Sequence, residues 1–187
     1  KNLKMECLLF DISLFLYFIA YFFYFQDTPF DARIRLIASI CIVLSGVNLC
    51  RFRSRGISKC AVWYLTFIAF AYISSAWAVD DHVAKSIITT LLRIAIVGIF
   101  LQIRVEARDD INRILEIYVW ATLYSCVAIA LTMMTMYSFD MLTLTRYGDT
   151  FGYNSNLTAM MCAISSTICI ARMKVHPIRN VAFVAFF

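Results

Sequence analysis

Residues 114–137 read ILEIYVWATLYSCVAIALTMMTMY, a stretch in which apolar side chains follow one another almost without interruption. The hydrocarbon core of a bilayer is about 30 Å thick, and a helix needs roughly 20 such residues to cross it. Backbone that faces lipid must satisfy its polar groups internally, so a stretch of this kind is predicted to be a transmembrane helix. Comparable stretches occupy residues 5–25, 34–50, 60–78, 87–103 and 157–171.

The composition supports a membrane protein and argues against a soluble domain. Hydrophobic residues make up 62% of the chain, charged residues 16%, and the mean hydropathy is +0.77. Soluble domains are closer to 45–50% apolar and 25% charged. Outer-membrane barrels use short alternating segments rather than long apolar runs. We therefore predict an all-α fold, a polytopic transmembrane helix bundle of about six complete spans with a truncated seventh at residues 181–187.

The basic residues predict the orientation of the bundle. Alternate connections carry twelve of the seventeen Lys and Arg residues, the opposite connections carry four, and Arg93 lies inside a span. Cytoplasmic loops are enriched in Lys and Arg, so the amino terminus is predicted to be cytoplasmic. Because the basic residues form short clusters between apolar runs, the net charge of +5 indicates membrane topology and not a nucleic-acid partner. The twelve are Lys1, Lys4, Arg51, Arg53, Arg55, Lys59, Arg104, Arg108, Arg113, Arg172, Lys174 and Arg179.

We interpret residues 1–187 as a single transmembrane domain and expect it to be the amino-terminal part of a larger protein. The chain begins at Lys1 without an initiator Met and stops within the apolar run 181–187. The first apolar run has the length of a full span and lacks a small-residue cleavage site after it. It is therefore predicted to be a retained helix and not a signal peptide.

The segment with the most chemical information is residues 145–156, TRYGDTFGYNSN, which leads into the sixth span. Asn154 or Ser155 can cap that helix by accepting hydrogen bonds from its first N–H groups. The remaining N–H groups and the helix dipole favour an anion. Arg146, on the side that has few basic residues, can add a bidentate partner for a phosphate. An ordinary turn with an ordinary cap is the alternative interpretation.

Two short motifs of this chain occur together in one family. The first follows the pattern Ser-x-x-Trp-(small)-x-Asp from Ser74 to Asp80, with Trp77 as its aromatic residue. The second follows the pattern Arg-x-Gly-x-x-x-Gly-x-Asn-x-Asn and consists of Arg146, Gly148, Gly152, Asn154 and Asn156. These motifs resemble those of the O-antigen ligase and O-antigen polymerase family of bacterial envelope enzymes. Their order along the chain, the side of the membrane on which their loops are predicted to lie, and the spacing of the spans also fit that family. The resemblance covers most of the chain but only the amino-terminal half of a family member.

The resemblance implies a multi-pass glycosyltransferase of the bacterial cytoplasmic membrane, working at its outer face in surface polysaccharide biosynthesis. The donor would be a polyprenyl-diphosphate-linked glycan, the acceptor a glycan or a lipid anchor, and neither a metal nor a cofactor would be needed. The catalytic residues would lie in the second half of a family member, so none is assigned here and this fragment alone is expected to be inactive. The resemblance implies that Arg146 binds the lipid diphosphate. It also implies that Trp77 and Asp80 have structural roles, and that the loop is shaped by Gly148, Gly152, Asn154 and Asn156.

Arg93 is the second candidate for diphosphate binding. A charge at bilayer depth costs at least about 2.5 kcal/mol, so it is expected to face a partner or a polar cavity. The donor diphosphate is one such partner, and Asp80 or Asp81 is another. Alternatively, the long side chain extends to the membrane surface. Two further titratable residues are given simpler interpretations, Asp11 as a marker of the first helix boundary and His82 as a solvated surface residue.

A different class of function remains open. The second candidate function is that of a multi-span transporter or flippase-like carrier without glycosyltransferase activity. A third candidate is a noncatalytic anchor or sensor. Helices broken by Gly or Pro near the midplane would favour a carrier, but the predicted spans contain no Pro and only Gly46 and Gly98. An anchor would leave Arg93 and the Arg146 segment unexplained. The seven cysteines lack metal-ligand spacing and are interpreted as small apolar residues.

Overall fold

The computed structural model describes residues 2–22, 29–52, 58–77, 80–136 and 155–187. Helices dominate these ranges and no strand occurs within them, so the predicted all-α class is confirmed. A single 3-10 turn, Ser75–Trp77, continues the third helix. The α-helices are α1 (Asn2–Phe22), α2 (Pro29–Phe52), α3 (Lys59–Ser74), α4 (Asp81–Arg104), α5 (Arg108–Met136), α6 (Ser155–Ala171) and α7 (Pro177–Phe186).

Three of the described helices are long and apolar enough to cross a membrane, which indicates a membrane protein. The qualifying segments are Arg33–Arg51 in α2, Val83–Arg104 in α4 and Arg108–Leu131 in α5. Shorter apolar helices cover Ala61–Trp77, Ala159–Ala171 and Pro177–Phe186. Each of the six predicted spans overlaps a helix. That all six cross the bilayer, and in which direction, stays a prediction.

Large apolar side chains cover much of the outside of these helices. Along α3, Trp63, Phe67 and Phe70 are exposed, and in α4 only 12% of the apolar segment is buried. Soluble monomers rarely expose large contiguous apolar patches, whereas lipid solvates such side chains. The exposed surface of α3 and α4 therefore has the composition of a lipid-facing one.

Polar side chains determine where several helices begin. At the start of α3, the Ser58 hydroxyl accepts a hydrogen bond from the backbone N–H of Ala61 at 3.2 Å. At the start of α4, the Asp80 carboxylate accepts one from the N–H of Val83 at 3.0 Å. Each cap satisfies an N–H that has no partner within the helix. Pro177 occupies the first turn of α7, where a missing N–H is tolerated.

The chain divides into two compact units, which we describe separately. The first unit comprises Lys1–Phe10 and Ile42–Asp110, and the second comprises Asp11–Cys41 and Ile111–Phe187. In the first unit, α3 and α4 pack along each other, and the Ser58 hydroxyl donates a hydrogen bond to the Gln102 side chain at 2.7 Å. Buried Arg104 donates to the Asp110 carboxylate at 2.5 Å, which closes the connection between α4 and α5.

A close contact between α2 and α4 in the first unit depends on a glycine. A Cβ atom added to Gly46 would lie 2.5 Å from the Cγ atom of Phe100, well inside van der Waals contact. The Phe100 ring therefore occupies the space that any other residue at position 46 would fill. A Cβ added to Gly98, on α4, would meet nothing within 4 Å.

We predict that Gly46→Ala destabilises the protein although alanine favours a helix. Forcing a methyl group into this contact costs about 1–3 kcal/mol, which exceeds the roughly 1 kcal/mol gained in helix propensity. Gly98→Ala is the matched control, since it gains the propensity without the clash. Thermal unfolding in detergent should show a lower midpoint for Gly46→Ala and an unchanged or higher one for Gly98→Ala. Equal midpoints would mean that Phe100 does not pack on Gly46.

The second unit has an aromatic-rich core built from α1, α5 and α6. Buried Ala121 and Met161 lie at its centre, and Phe15, Phe18, Ile19 and Tyr118 pack against them. The Phe18 and Tyr118 rings meet edge to face with centroids 5.3 Å apart, an arrangement that aromatic pairs favour. Close by on the same helices, the Sγ atoms of Cys126 and Cys162 lie 3.5 Å apart.

The thiol pair predicts a site-specific cross-link between α5 and α6. In a variant that keeps only Cys126 and Cys162, a membrane-permeant oxidant should form an intramolecular disulfide, because the helices already bring the sulfurs together. Intact mass would show the loss of two hydrogens. A variant that keeps only Cys126 and Cys169 is the control, since Cys169 lies about two turns further along α6. Equal cross-linking of both pairs would contradict this packing of α5 on α6.

Candidate functional site

The Ser74–Asp80 motif forms the junction between α3 and α4. Ser74 ends α3, Trp77 ends the 3-10 turn, and Asp80 caps α4. The hydroxyls of Ser74 and Ser75 donate to backbone carbonyls of α3, at 3.0 and 2.7 Å. Asp80 therefore has a structural role at the start of α4. Trp77 is 76% exposed. An exposed indole of this kind is typical of a membrane–water interface.

Most of the predicted diphosphate site lies outside the described residues. The segment that the structure does not describe includes Arg146, Gly148, Gly152 and Asn154. The described part of α6 runs from Ser155, so Ser155 lies within the helix, and the predicted cap at Asn154 lies outside the described residues. Asn156 is the second residue of that helix.

Arg93 lies within α4, and its side chain is exposed on the helix surface. Asp80 precedes the first turn of the same helix, about 18–20 Å away along the axis at 1.5 Å per residue. That separation is too large for an ion pair, so Asp80 is not the partner of Arg93. The exposed position is compatible with a ligand at Arg93 and equally with a side chain that extends to the membrane surface.

The structure assembles a different group of charged residues, in the second unit, which we call the ionic cluster (Asp11, Arg113, Glu116, Arg172 and Arg179). Asp11 lies on α1 with its side chain only 5% exposed, and its Oδ2 atom is 2.6 Å from the Nε atom of Arg113. Arg113 is 53% exposed. A buried carboxylate needs an opposite charge. The interpretation of Asp11 as a simple helix-boundary residue was therefore incomplete.

Glu116 connects α5 to the region around α7. Its Oε1 atom accepts a hydrogen bond from Arg179 Nη1 at 2.5 Å, and its Oε2 atom lies 3.8 Å from Arg172 Nη2. Arg172 also donates to the backbone carbonyl of Asn112 at 3.1 Å, while the Asn180 amide donates to the carbonyl of Arg172 at 2.7 Å. These contacts attach the start of α7 to the first turns of α5.

A very small cavity of about 10 Å³ lies among Glu116, Arg172, Arg179 and Asn180. The Nε atoms of both arginines are buried here without a hydrogen-bond partner in the described structure. A space of this size is at the lower limit for one water molecule. It belongs to the packing of the ionic cluster and has no room for a substrate.

A larger groove opens beside the Asp11–Arg113 pair, with a volume of about 480 Å³. Volumes of this order are typical of ligand sites. Its polar residues are Asp11, Arg113 and Glu116, and its apolar residues are Ile12, Phe15, Ile117 and Trp120. The groove is therefore polar at one end of the α1–α5 interface and apolar along the rest. The residues described include no group of three or more His, Cys, Asp or Glu side chains arranged for a metal ion.

The sequence pattern alone does not predict this cluster. In it, Arg113, Arg172 and Arg179 indicate only the topology, and Glu116 has no assigned role. The available signal was the presence of carboxylates at Asp11 and Glu116 within predominantly apolar helices, where ionisable residues normally have a partner. The partners could not be assigned, because they lie far away in the sequence.

Comparison with protein-family models, curated proteins and solved structures gives no match.

We predict that Glu116→Gln destabilises the second unit by about 1–3 kcal/mol, because it removes the carboxylate from two partly buried guanidinium groups. Asp109→Asn is the matched control, an exposed carboxylate in the same helix that should change stability by less than about 0.5 kcal/mol. Chemical denaturation in detergent micelles measures both. Similar effects of the two variants would show that Glu116 is not a structural partner of Arg172 and Arg179.

Proposed function

We propose that this chain is part of a membrane glycosyltransferase of the O-antigen ligase and polymerase type, in the bacterial cytoplasmic membrane. The observation that carries the proposal is the joint occurrence of the Ser74–Asp80 motif and the Arg146–Asn156 motif. In the predicted topology both motifs lie at the outer ends of spans. An outer-face reaction on a lipid-linked glycan would need residues on that side.

The local structure of the Ser74–Asp80 motif and the position of Asn156 are compatible with this proposal. Asp80 caps α4, as expected of a residue with a structural role. Asn156 lies in the first turn of α6, and the N–H groups of a helix start favour an anionic ligand. Arg146 would then supply the positive charge for a diphosphate, with Arg93 as a second candidate.

The reaction would transfer a glycan from polyprenyl diphosphate to the hydroxyl of an acceptor glycan or lipid anchor. The acceptor oxygen forms a bond to the anomeric carbon as the bond from that carbon to the diphosphate breaks. Negative charge develops on the leaving diphosphate, where guanidinium groups stabilise the transition state. A general base accepts the hydroxyl proton. No described residue is assigned to that base.

We predict that Arg146→Ala lowers glycan transfer at least about hundredfold in the full-length protein, because it removes a donor from the developing charge. The measurement uses membranes that contain the full-length protein, a polyprenyl-diphosphate-linked oligosaccharide and an acceptor. In cells, the lipid-linked precursor should accumulate while the polymer disappears. Arg51→Ala, at the opposite end of a predicted span, is the control and should keep normal transfer.

A carrier remains the second candidate, and the ionic cluster is the observation that favours it. Ionisable groups within apolar helices often mark a transport pathway. The two functions predict different locations for the lipid-linked precursor when the protein is inactivated. Loss of a glycosyltransferase leaves the precursor accessible at the outer face, whereas loss of a flippase leaves it at the inner face. Unchanged transfer in Arg146→Ala, with precursor retained inside, would replace the enzyme proposal with the carrier.

A further inference from the structure

Two cysteine side chains meet between α5 and α6 in the second unit. The Sγ atoms of Cys126 and Cys162 lie 3.5 Å apart, although 36 positions separate the two residues along the chain. A disulfide bond is about 2.05 Å long, so the sulfurs need to approach each other by about 1.5 Å, which small rotations of two short side chains can supply. The packing of the helices therefore brings the two thiols within reach of a covalent bond.

Both thiols lie in apolar segments, and both residues remain partly exposed. Cys126 belongs to the apolar segment Arg108–Leu131 of α5, and Cys162 belongs to the apolar segment Ala159–Ala171 of α6. Transfer of a charged or strongly polar molecule into hydrocarbon is costly. The oxidant that reaches these thiols most readily is therefore one that dissolves in the bilayer. Quinones are lipid-soluble two-electron acceptors of this kind, and in bacteria they drive disulfide formation at the cytoplasmic membrane.

A buried hydroxyl without a hydrogen-bond partner lies about one helical turn from Cys162. Ser165 is fully buried, and its Oγ atom has no partner in the described structure. Because Ser165 follows Cys162 by three residues, the two side chains lie on the same face of α6. The Thr122 hydroxyl, by contrast, donates to the backbone carbonyl of Tyr118 at 3.0 Å. The Ser165 hydroxyl is thus available to stabilise the Cys162 thiolate, which is the reactive form of a cysteine.

We propose that Cys126 and Cys162 form a reversible redox pair, which a quinone of the bilayer oxidises to a disulfide. In this step two S–H bonds break and one S–S bond forms. The quinone accepts the two electrons and the two protons and leaves as the hydroquinone. The disulfide joins α5 to α6 and closes a ring of chain between positions 126 and 162, which stabilises the folded second unit. This redox chemistry does not depend on the proposed glycosyltransferase activity.

The test uses the full-length protein with all of its cysteines, reconstituted in liposomes that contain a ubiquinone analogue with every ring position substituted. Full substitution prevents the ring from adding covalently to a thiol. After alkylation of the remaining thiols, peptide mapping should show Cys126 joined to Cys162, at a rate at least about tenfold above that of any other disulfide. Intact mass should fall by two hydrogens, and dithiothreitol should reverse the change. The midpoint of thermal unfolding should rise by about 5–10 °C on oxidation.

Single replacements separate this pair from the other thiols. Cys126→Ser and Cys162→Ser should each abolish the disulfide and the rise in the unfolding midpoint. Cys169→Ser, a matched change on α6, should leave both unchanged. Ser165→Ala should slow the oxidation about fivefold without preventing it, because it removes a hydrogen-bond donor to the thiolate.

Peptide mapping of the unmodified protein keeps the test decisive even if a variant fails to fold. Absence of the Cys126–Cys162 disulfide after quinone treatment would overturn the proposal, and so would equally fast disulfide formation by other cysteines. A disulfide that forms without a change in the unfolding midpoint would contradict its stabilising role between α5 and α6.

Discussion

A backbone amide within hydrocarbon has no water to bind, and this constraint determines most of the local structure of the chain. An α-helix satisfies the N–H and C=O groups within one segment, which is why each long apolar run is helical. The exceptions are the helix ends, where the first N–H groups need another acceptor. Ser58 and Asp80 supply that acceptor at α3 and α4. Polar residues at these boundaries therefore have a structural reason to be present, before any role in function is considered.

The same low-dielectric surroundings explain how the charged side chains are arranged. An isolated charge in an apolar environment is costly, and pairing with an opposite charge reduces that cost. In the first unit, Arg104 is paired with Asp110. In the second unit, Asp11 is paired with Arg113, and Glu116 with Arg179. Basic residues that predict the topology thus have a second role, since several of them also join helices that are distant in the sequence.

The two functional proposals concern different parts of the molecule. The glycosyltransferase proposal depends on the motifs at the α3–α4 junction and before α6, and its chemistry centres on a diphosphate. The carrier alternative depends on the ionic cluster, whose charged side chains lie within and beside the apolar helices of the second unit. The cluster also has a structural role, because it joins α1 and the region around α7 to α5.

The amino-acid sequence by itself determined the helical class and the approximate position of each helix, because a long apolar run is a local feature. It did not reveal that Asp11 lies against Arg113, that Phe100 occupies the space beside Gly46, or that Cys126 meets Cys162. Each of these contacts joins residues 36 to about 100 positions apart, and each depends on how a helix is rotated about its axis and packed on its neighbour. The hydropathy of an apolar segment does not indicate how its helix is rotated about its axis, because lipid can solvate every face that does not pack against another helix. Only the tertiary structure decided which charges are paired, where the glycine is required and where the groove lies.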